Sequence, residues 1–547
     1  MLLVTPYRGR DCNLRSPMPN SLREWGERRS TRVYALEIAQ KRLEFEGVCT
    51  VTTMITVIEN IELYRYEIHS LLKAFYPRED VKVLTAGDAA GNRKYQQIAK
   101  EPFMRVVFAE TEVTASFCDG SDTRSAAAEK GLSYAQKSPE LKTAVKHLLY
   151  GMLADREGRT LPWGELIGIR PTKIAMQSLL QGKSIEEAAS LMMRDHLVSP
   201  QKALLSAQIA QREREILSGI HYENGYSLYV GIPFCPTTCL YCSFPSFNLA
   251  LWKDRVDQYL DALEKEMRDA SRLMEGRVLD TVYIGGGTPT TLEPPQLERL
   301  FSMLETCFPM EGIEEFTIEA GRPDSITEEK LKVIKNHHVT RISVNPQTMN
   351  EETLRLIGRR HTVDEVRQAF AMCRSAGFDN INMDIILGLP EETEEDVANT
   401  LREIEKLSPD SLTVHSLALK RGSRMQKYIE QKGFSSINNT DGCMELAARA
   451  AAGMGMEPYY LYRQKNISGN LENVGYARPG KAGMYNILIM EEKQSILALG
   501  AGSISKAVFP GGRIERSDNC KDVATYIETI DEMIERKHRL GIGVCED

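Results

Sequence analysis

The sequence contains no long hydrophobic stretch. No apolar run in its 547 residues approaches the roughly 20 residues that a membrane-spanning helix needs, so a membrane protein is not expected. A secretory signal peptide is absent as well, and the 11 scattered cysteines therefore indicate reduced thiols in a cytoplasmic protein. Positive charge is not in excess either. The net charge of −8 argues against a broad nucleic-acid-binding surface, although it still allows a local basic pocket. These absences indicate an ordinary globular protein of two or three domains.

Three of the cysteines lie close together in the stretch Y-V-G-I-P-F-C-P-T-T-C-L-Y-C-S-F, which runs from Tyr229 to Phe244. Cys235, Cys239 and Cys242 have the spacing C-x3-C-x2-C, and thiolates select zinc, copper(I) or an iron–sulfur cluster. A structural zinc site needs four protein ligands, and no second cysteine pair or nearby histidine follows. The odd number favours a [4Fe–4S] cluster with one iron open to an exogenous ligand. A chance grouping of buried cysteines is the alternative.

The residue pattern divides the chain into five segments. Residues 1–53 form an arginine-rich tract broken by proline and serine, which we expect to be a non-domain extension; a transit peptide is the alternative, although acidic residues in the tract do not suit it. Residues 54–124 indicate a small α/β module, and residues 125–222 favour helices. Residues 223–436 carry the longest alternation of strands and helices. Residues 437–547 are expected to form an α+β region that covers the substrate.

Six predicted strands alternate with helices between residues 223 and 436. They lie at 228–232, 281–284, 316–319, 341–344, 381–387 and 411–417. The first helix between them carries one apolar stripe with spacings of three and four, formed by Val256, Leu260, Leu263, Met267, Ala270 and Met274. Right-handed crossovers wind such βα steps into a parallel, barrel-like sheet with functional residues at the C-terminal strand ends, and an open doubly wound sheet fits the same alternation.

Several polar or glycine-rich segments follow the predicted strand ends. The second strand leads into G-G-G-T-P, where glycines allow close approach of the backbone and expose amides that bind a carboxylate or hydroxyl. Polar side chains at strand ends are costly unless they are paired, so several of them at one mouth indicate a polar ligand. Each one alone fits a structural role. The candidates are Gly286, Gly287, Thr288, Glu319, Gln347, Arg359 and Asp384.

The cysteine stretch resembles the cluster loop of the radical S-adenosylmethionine enzymes, because an aromatic residue, Tyr241, precedes the last cysteine. The segment Y-V-G-I-P-F-C resembles their oxygen-independent coproporphyrinogen III oxidase branch. The resemblance implies a partial (β/α)6 barrel with an N-terminal α/β plus helical region. It also implies that Cys235, Cys239 and Cys242 hold a [4Fe–4S] cluster whose open iron binds S-adenosylmethionine.

The same resemblance assigns cofactor contacts. It implies that G-G-G-T-P meets the amino-acid end of S-adenosylmethionine and that Arg359 pairs with the methionine carboxylate, for which a planar guanidinium is suited. Glu319, Gln347 and Asp384 suit ribose hydroxyls and amine groups. The remaining positions that match the family's contacts are Tyr229, Tyr241 and Ala418.

The resemblance extends to the long coproporphyrinogen dehydrogenase subgroup, in which an N-terminal region precedes the barrel. It implies oxidative decarboxylation of coproporphyrinogen III in haem biosynthesis, with a tetrapyrrole substrate and a reduced flavodoxin or ferredoxin-type electron donor. Two positions depart from the oxidases, which have histidine where this chain has Gly231 and cysteine where it has Phe244. These departures concern the site of a second S-adenosylmethionine. A haem-binding or haem-delivery protein and a radical enzyme with another substrate are the alternatives.

Two further segments combine cations with aromatic rings. In M-E-P-Y-Y-L-Y-R-Q-K-N, three tyrosines with Arg463 and Lys465 suit a tetrapyrrole with several propionates, and an aromatic strand is the alternative. In P-W-G-E-L-I-G-I-R-P-T-K, Arg170 and Lys173 suit a carboxylate or phosphate, and a helix cap or a surface ion pair is the alternative.

Overall fold

The computed structural model describes residues 54–100, 102–128, 133–168, 170–420, 422–433, 439–464 and 471–542. The predicted extension of residues 1–53 and Lys465 therefore lie outside the described residues. Within these ranges, no helix combines the length and the apolar character that crossing a membrane requires.

The first part of the chain forms a five-stranded sheet with order β2-β1-β3-β4-β5. Strand β1 is parallel to β2 and β3, and the other pairs are antiparallel. The elements are β1 Met54–Glu59, α1 Arg65–Phe75, β2 Asp80–Thr85, α2 Ala86–Gly91, α3 Arg93–Ile98, β3 Met104–Phe108, β4 Glu112–Phe117, β5 Thr123–Ala127 and α4 Pro139–Glu157. Helices α1 and α4 supply buried apolar side chains to one core with this sheet, so the core extends past residue 124, where the sequence pattern ends the module.

Three helices follow, and each of the last two begins with a serine cap. They are α5 Thr172–Leu180, α6 Ile185–His196 and α7 Pro200–Ile216. Ser184 and Ser199 accept hydrogen bonds from the first turns of α6 and α7, which defines where these helices start. Trp163 and Lys202 both donate to the carboxylate of Glu472, the indole at 2.7 Å and the ammonium at 2.6 Å. The helical region is thereby attached to the C-terminal part of the chain.

Six parallel strands and the helices between them form the centre of the molecule. The elements are β6 Gly225–Ile232, β7 Phe234–Cys235, β8 Phe247–Asn248, α8 Leu249–Trp252, α9 Val256–Leu273, β9 Val278–Gly286, α10 Pro294–Cys307, β10 Glu315–Glu319, α11 Glu328–Asn336, β11 Arg341–Ser343, α12 Glu351–Leu356, α13 Val363–Ser375, β12 Ile381–Leu387, α14 Glu394–Leu407 and β13 Ser411–Ser416. Strands β6 and β9 to β13 pair in parallel in chain order. All six residues of the predicted apolar stripe on α9 are buried. The prediction of six βα steps is confirmed.

The C-terminal region continues the same sheet at both edges. Its elements are α15 Met425–Lys432, α16 Asp441–Gly453, β14 Glu457–Tyr462, β15 Asn473–Ala477, α17 Met484–Glu491, β16 Ser495–Leu499, β17 Ile504–Val508, β18 Ile514–Asp518, α18 Val523–Glu528 and α19 Ile530–Leu540. Strand β15 is antiparallel to β13, and β16 is parallel to β6. The 11-stranded sheet therefore ends at β14 and β18 and does not close on itself, which is the partial barrel that the resemblance implies.

Candidate functional site

The cysteine loop leaves the C-terminal end of β6, the first barrel strand. Cys235 and Cys239 are buried and Cys242 is partly buried. Burial raises the pKa of the Cys235 thiol to about 11 and also raises the pKa of Cys242. The hydroxyl of Thr288 donates to the sulfur of Cys235 at 3.6 Å. The loop therefore presents soft donors in a shielded place, where only a strongly positive partner favours the thiolate form.

The cysteine loop supplies three thiols. Among the residues that the structure describes, no group of three or more His, Cys, Asp or Glu side chains is arranged to hold a metal ion. The number of donors separates the two kinds of centre, because structural zinc takes four protein ligands, whereas a [4Fe–4S] cluster held by three cysteines keeps one iron open. Three thiols therefore suit a [4Fe–4S] cluster better than they suit structural zinc.

The glycine turn after β9 packs on the cysteine loop. A side chain at Gly287 would lie 2.6 Å from the carbonyl oxygen of Phe234 and 3.0 Å from the sulfur of Cys235. The N–H of Gly287 donates to Ile232 at 2.8 Å, and the N–H of Thr288 donates to Phe234 at 2.8 Å. The expectation that the turn exposes amides to a ligand is therefore wrong for these two residues. Their conformation instead allows close contact between the two loops.

Arg359 reaches the same loop from the segment after α12. Its guanidinium is buried, lies beside the Tyr241 hydroxyl and the Cys239 thiol, and donates to the carbonyl of Asn345 at 2.5 Å. The Nε atom of Arg359 has no hydrogen-bond partner within the described chain. A buried guanidinium with an unused donor is suited to a carboxylate ligand.

Gln347 is held in a strained conformation next to β12. Its φ angle of 70° lies in the left-handed region, which is unfavourable for a residue other than glycine. Its backbone is fixed by two hydrogen bonds of 2.9 Å, one to the carbonyl of Asp384 and one from the N–H of Ile386. Its side-chain oxygen Oε1 is buried and lacks a partner among the described residues. The strain therefore positions an acceptor that the protein itself does not use.

Glu319 ends β10 beside a group of stacked tyrosines. Tyr283 donates a hydrogen bond to its carboxylate, and the rings of Tyr283 and Tyr485 stack with centroids 4.6 Å apart. The ring of Tyr229 stacks on both of them at 6.2 Å. Burial raises the pKa of Glu319 to about 7, and the negative charge of Asp384 adds to the rise. Glu319 can therefore change its protonation state near neutral pH.

Asp384 lies on β12 and stays ionised. Burial acts to raise its pKa, but the His415 ring and the Asn382 amide outweigh this effect and lower the pKa below its usual value. The Asn382 amide donates to Asp384 at 2.7 Å, and Nε2 of His415 is 3.7 Å from the other carboxylate oxygen. The hydroxyl of Tyr462 lies 3.4 Å from the other ring nitrogen of His415.

The predicted site residues thus lie at one mouth, which we define as the middle and C-terminal parts of the six parallel strands with the loops that follow them. Ala418 lies two residues beyond β13, and it is placed there by position alone. Tyr283, Tyr485 and His415 were not among the predicted site residues. Side chains alternate along β13, so His415 lies on the same face as Thr413. This alternation is the sequence signal that could have identified His415.

The other two predicted ligand segments have structural partners. Arg170 donates to the carbonyl of Met490 and to the carboxylate of Glu492, both at 2.7 Å, which is the ion-pair alternative. Tyr459 and Tyr460 are buried in an apolar cluster with α17, and Arg463 lies over the ring of Trp163 at 5.5 Å. Tyr462, which belongs to the same aromatic strand, contacts His415 at the mouth.

Comparison with known proteins adds independent information. Residues 229–404 match the Radical SAM superfamily. The chain is 40% identical over 403 residues to the oxygen-independent coproporphyrinogen-III oxidase-like protein HemZ of Bacillus subtilis (strain 168), which covers 73% of this chain and 80% of the relative. It is 31% identical to the heme chaperone HemW of the same organism, over 56% of this chain and 76% of the relative. It is 35% identical to the oxygen-independent coproporphyrinogen III oxidase of Escherichia coli (strain K12), over 36% of this chain and 42% of the relative.

Proposed function

We propose a function from the premise that this chain belongs to the radical S-adenosylmethionine superfamily and its oxygen-independent coproporphyrinogen oxidase-like family. The proposed function is the oxidative decarboxylation of coproporphyrinogen III to protoporphyrinogen IX. The family works with a [4Fe–4S] cluster and S-adenosylmethionine. When bound, these cofactors supply a 5′-deoxyadenosyl radical that removes one hydrogen atom from a substrate carbon.

The observation that carries this proposal is a pair of unused polar atoms at the mouth. Arg359 Nε and Gln347 Oε1 are buried without partners in the described chain. Arg359 lies beside Cys239, and the backbone of Gln347 is hydrogen-bonded to Asp384. Buried polar atoms without a partner are few in native proteins, and a bound ligand is one way in which they are completed. A zwitterionic amino acid joined to a ribose provides both a carboxylate for Arg359 and donors for Gln347.

The proposed contacts follow from this arrangement. Cys235, Cys239 and Cys242 hold the cluster, and Arg359 binds the methionine carboxylate. Glu319 and Asp384 accept hydrogen bonds from hydroxyl or amine groups, and Tyr229 and Tyr241 provide flat apolar walls. The backbone of Gly286, Gly287 and Thr288 fixes the position of the cysteine loop, and Ala418 leaves space on the last strand. We also propose that the C-terminal region, which flanks the barrel at both edges, covers the substrate.

Each of two propionate groups would react in the same way. With the cofactors bound, the β-carbon would lose one hydrogen atom, which would end in 5′-deoxyadenosine. The bond between the α-carbon and the carboxylate would then break, so that carbon dioxide leaves, a vinyl group forms and one electron passes to an acceptor. The protein contributes binding, orientation and exclusion of water from the radical. A reduced one-electron carrier, such as flavodoxin or ferredoxin, is the proposed source of electrons for the cluster.

The test is an anaerobic assay of the reconstituted protein with dithionite, S-adenosylmethionine and coproporphyrinogen III deuterated at the propionate β-carbons. We expect two molecules of deuterated 5′-deoxyadenosine for each protoporphyrinogen formed. The Cys242→Ala variant, reconstituted in the same way, is the matched control. Cleavage of S-adenosylmethionine with neither deuterium transfer nor decarboxylation would exclude this substrate.

A haem-binding role without oxidase activity is the second candidate. The two positions where the family's oxidases carry histidine and cysteine offer no polar side chain here. Gly231 lies against β16, with Leu499 O 3.4 Å from the position of an added side chain, and Phe244 is 71% exposed. Stoichiometric haem binding by a protein that fails the deuterium assay would support this role.

A further inference from the structure

A cavity of about 600 Å³ lies beside the cysteine loop and is lined by four arginines. Its residues are Thr237, Thr238, Asn248, Arg355, Gly358, Arg359, Arg360 and Arg424. No carboxylate is among them. Three of the guanidinium groups, those of Arg355, Arg360 and Arg424, belong to exposed residues. The cavity is therefore a concentrated positive surface on a protein whose net charge is −8.

The positive charge of this surface is not neutralised by the chain itself. Within the described ranges, Arg355, Arg360 and Arg424 form no ion pair, although they line the same cavity. Some exposed arginines on other helices are paired. Arg402 pairs with Glu395 at 2.8 Å, and Arg449 pairs with Glu445 at 3.6 Å. Uncompensated like charges repel one another, so they indicate an anionic partner.

The cysteine loop forms one wall of the cavity. Thr237 and Thr238 directly precede Cys239, and Arg424 donates a hydrogen bond to the carbonyl of Thr238. Of the mouth residues, Arg359 lines the cavity, whereas Tyr229, Glu319 and Asp384 do not. A partner seated on the three exposed arginines is therefore close to the cysteine loop, because Thr237 and Thr238 line the same cavity.

Two exposed apolar side chains lie close in the chain to residues that line the cavity. Phe244 follows Cys242 by two residues and is 71% exposed, and Leu251 follows Asn248 by three residues and is 82% exposed. Arginine and aromatic residues are both enriched at protein–protein interfaces. The partner is therefore expected to be a protein with an acidic face rather than a small anion.

We propose that Arg355, Arg360 and Arg424, with Phe244 and Leu251, form the docking surface of a small acidic electron-carrier protein. Docking lets one electron leave the reduced flavin or iron–sulfur centre of the carrier and enter the cluster behind the loop, and no bond is made or broken in this step. The inference rests on the proposed function only in that the three cysteines hold a cluster. It does not depend on which substrate is used.

The experiment compares the reconstituted protein with its Arg355→Glu/Arg360→Glu variant. The probe is a purified flavodoxin, and a ferredoxin is tested in parallel. We expect the calorimetric Kd for the carrier to rise at least tenfold at low salt and the difference to vanish at high salt, because screening removes charge attraction. The rate of cluster reduction by the reduced carrier should fall at least tenfold, while reduction by dithionite stays within twofold.

The Arg402→Glu/Arg449→Glu variant changes the net charge equally on exposed helices away from the cavity and is the matched control. Equal effects of the two double variants would overturn the proposal, as would a wild type reduced by dithionite but by neither carrier. Loss of coproporphyrin or phosphate binding with unchanged carrier binding would also overturn it in favour of a small anion. Absence of cluster absorbance in the wild type would instead contradict the cysteine assignment.

Discussion

Two buried polar clusters in this chain differ in how far their hydrogen bonds are satisfied. The first surrounds Glu266 on α9. Its carboxylate accepts hydrogen bonds from Lys537 at 2.5 Å, Tyr526 at 2.5 Å, Asn519 at 2.7 Å and the N–H of Gly500 at 2.8 Å. Lys537 also donates to Asn519 at 2.7 Å. In the described structure, every side-chain polar atom of this cluster has a partner.

The second cluster is the barrel mouth, where the chain leaves polar atoms unused. Arg359 Nε, Gln347 Oε1 and both ring nitrogens of His361 have no partner in the part of the chain that the structure describes. Burial, together with the charges of Arg359 and Arg322, lowers the pKa of His361 to about 3, so its ring is neutral. A satisfied network stabilises the fold, whereas an incomplete one has a cost that a bound ligand can recover. Substitutions in the Glu266 cluster should therefore lower the stability of the fold, whereas substitutions at the mouth should weaken cofactor binding.

Substitution of a cysteine in the cysteine loop should have the largest effect, because it removes a ligand of the cluster at the mouth. Cys239→Ala or Cys242→Ala should abolish the [4Fe–4S] cluster, because three ligands are the minimum for such a site. Iron content and absorbance of the reconstituted protein measure this loss. Cys307→Ala, which removes a cysteine outside the loop, should keep the cluster. A full [4Fe–4S] spectrum in either loop variant would show that the ligand assignment is wrong.

Lys537→Met should destabilise the chain by about 3–5 kcal/mol, since it leaves the Glu266 carboxylate buried without its cation. Urea denaturation measures the free energy of unfolding, and the affinity for S-adenosylmethionine should stay unchanged. The double variant Glu266→Gln/Lys537→Met is the control and should recover part of the loss. A change below about 1 kcal/mol would contradict the contrast between the two clusters.

Glu319→Gln should make stability less dependent on pH. The folded pKa of about 7 lies above the unfolded value, so Glu319 contributes stability that is fully present below about pH 4.5 and lost as pH rises through 7. The amide carries no charge, so the variant should be more stable than wild type at pH 8 by at most about 3 kcal/mol and equal to it near pH 4.5. Parallel unfolding curves at both pH values test this. A variant that is less stable than wild type at pH 8 would contradict the inference that burial disfavours ionisation of Glu319.

Arg359→Ala should weaken binding of S-adenosylmethionine by about 2 kcal/mol, or roughly 30-fold in Kd, because it removes the charged partner of the carboxylate. The fold should lose less stability than in Lys537→Met, since Arg359 donates to backbone carbonyls and forms no ion pair in the described chain. Calorimetry gives the affinity, and Arg359→Lys should lie between the variant and wild type, since it keeps the charge without the bidentate geometry. Arg449→Ala is the control on a distant helix. An unchanged Kd would remove Arg359 from the site.

The smallest effect is expected at Gln347. Gln347→Gly should stabilise the fold by about 1 kcal/mol, because glycine accepts the positive φ without strain. The same change should weaken cofactor binding, since it removes the unused acceptor. Unfolding and calorimetry on one preparation measure both effects. Loss of stability together with unchanged binding would make Gln347 an ordinary structural residue.

Much of the barrel could be predicted because its signals are local. The predicted strand 381–387 has the same bounds as β12, and the other five barrel strands lie within three residues of their predicted bounds. The helical spacing from Val256 to Met274 also located the buried face of α9. Side-chain periods of two and about 3.6 residues depend only on neighbours along the chain, so they can be recognised without a fold.

The site was predicted in part for the same reason. The spacing of Cys235, Cys239 and Cys242 is a local property, and positions after strand ends locate polar groups at one edge of a parallel sheet. The role of the glycine turn could not be predicted in this way, because it depends on contacts with residues far away in the sequence. The N–H groups of Gly287 and Thr288 bind carbonyls more than 50 residues earlier in the chain, which no turn motif shows.

By itself, the sequence determined the alternation of strands and helices, the cysteine spacing and the order of polar groups along the mouth. Only the tertiary structure decided that β15 and β16 extend the barrel sheet at opposite edges, that Tyr283, Tyr485 and His415 join the mouth, and that unpaired arginines line a cavity beside the cysteine loop. The reason is physical. Periodicity and spacing are set by covalent geometry, whereas pairing between distant segments and the absence of a counter-charge depend on how the whole chain packs.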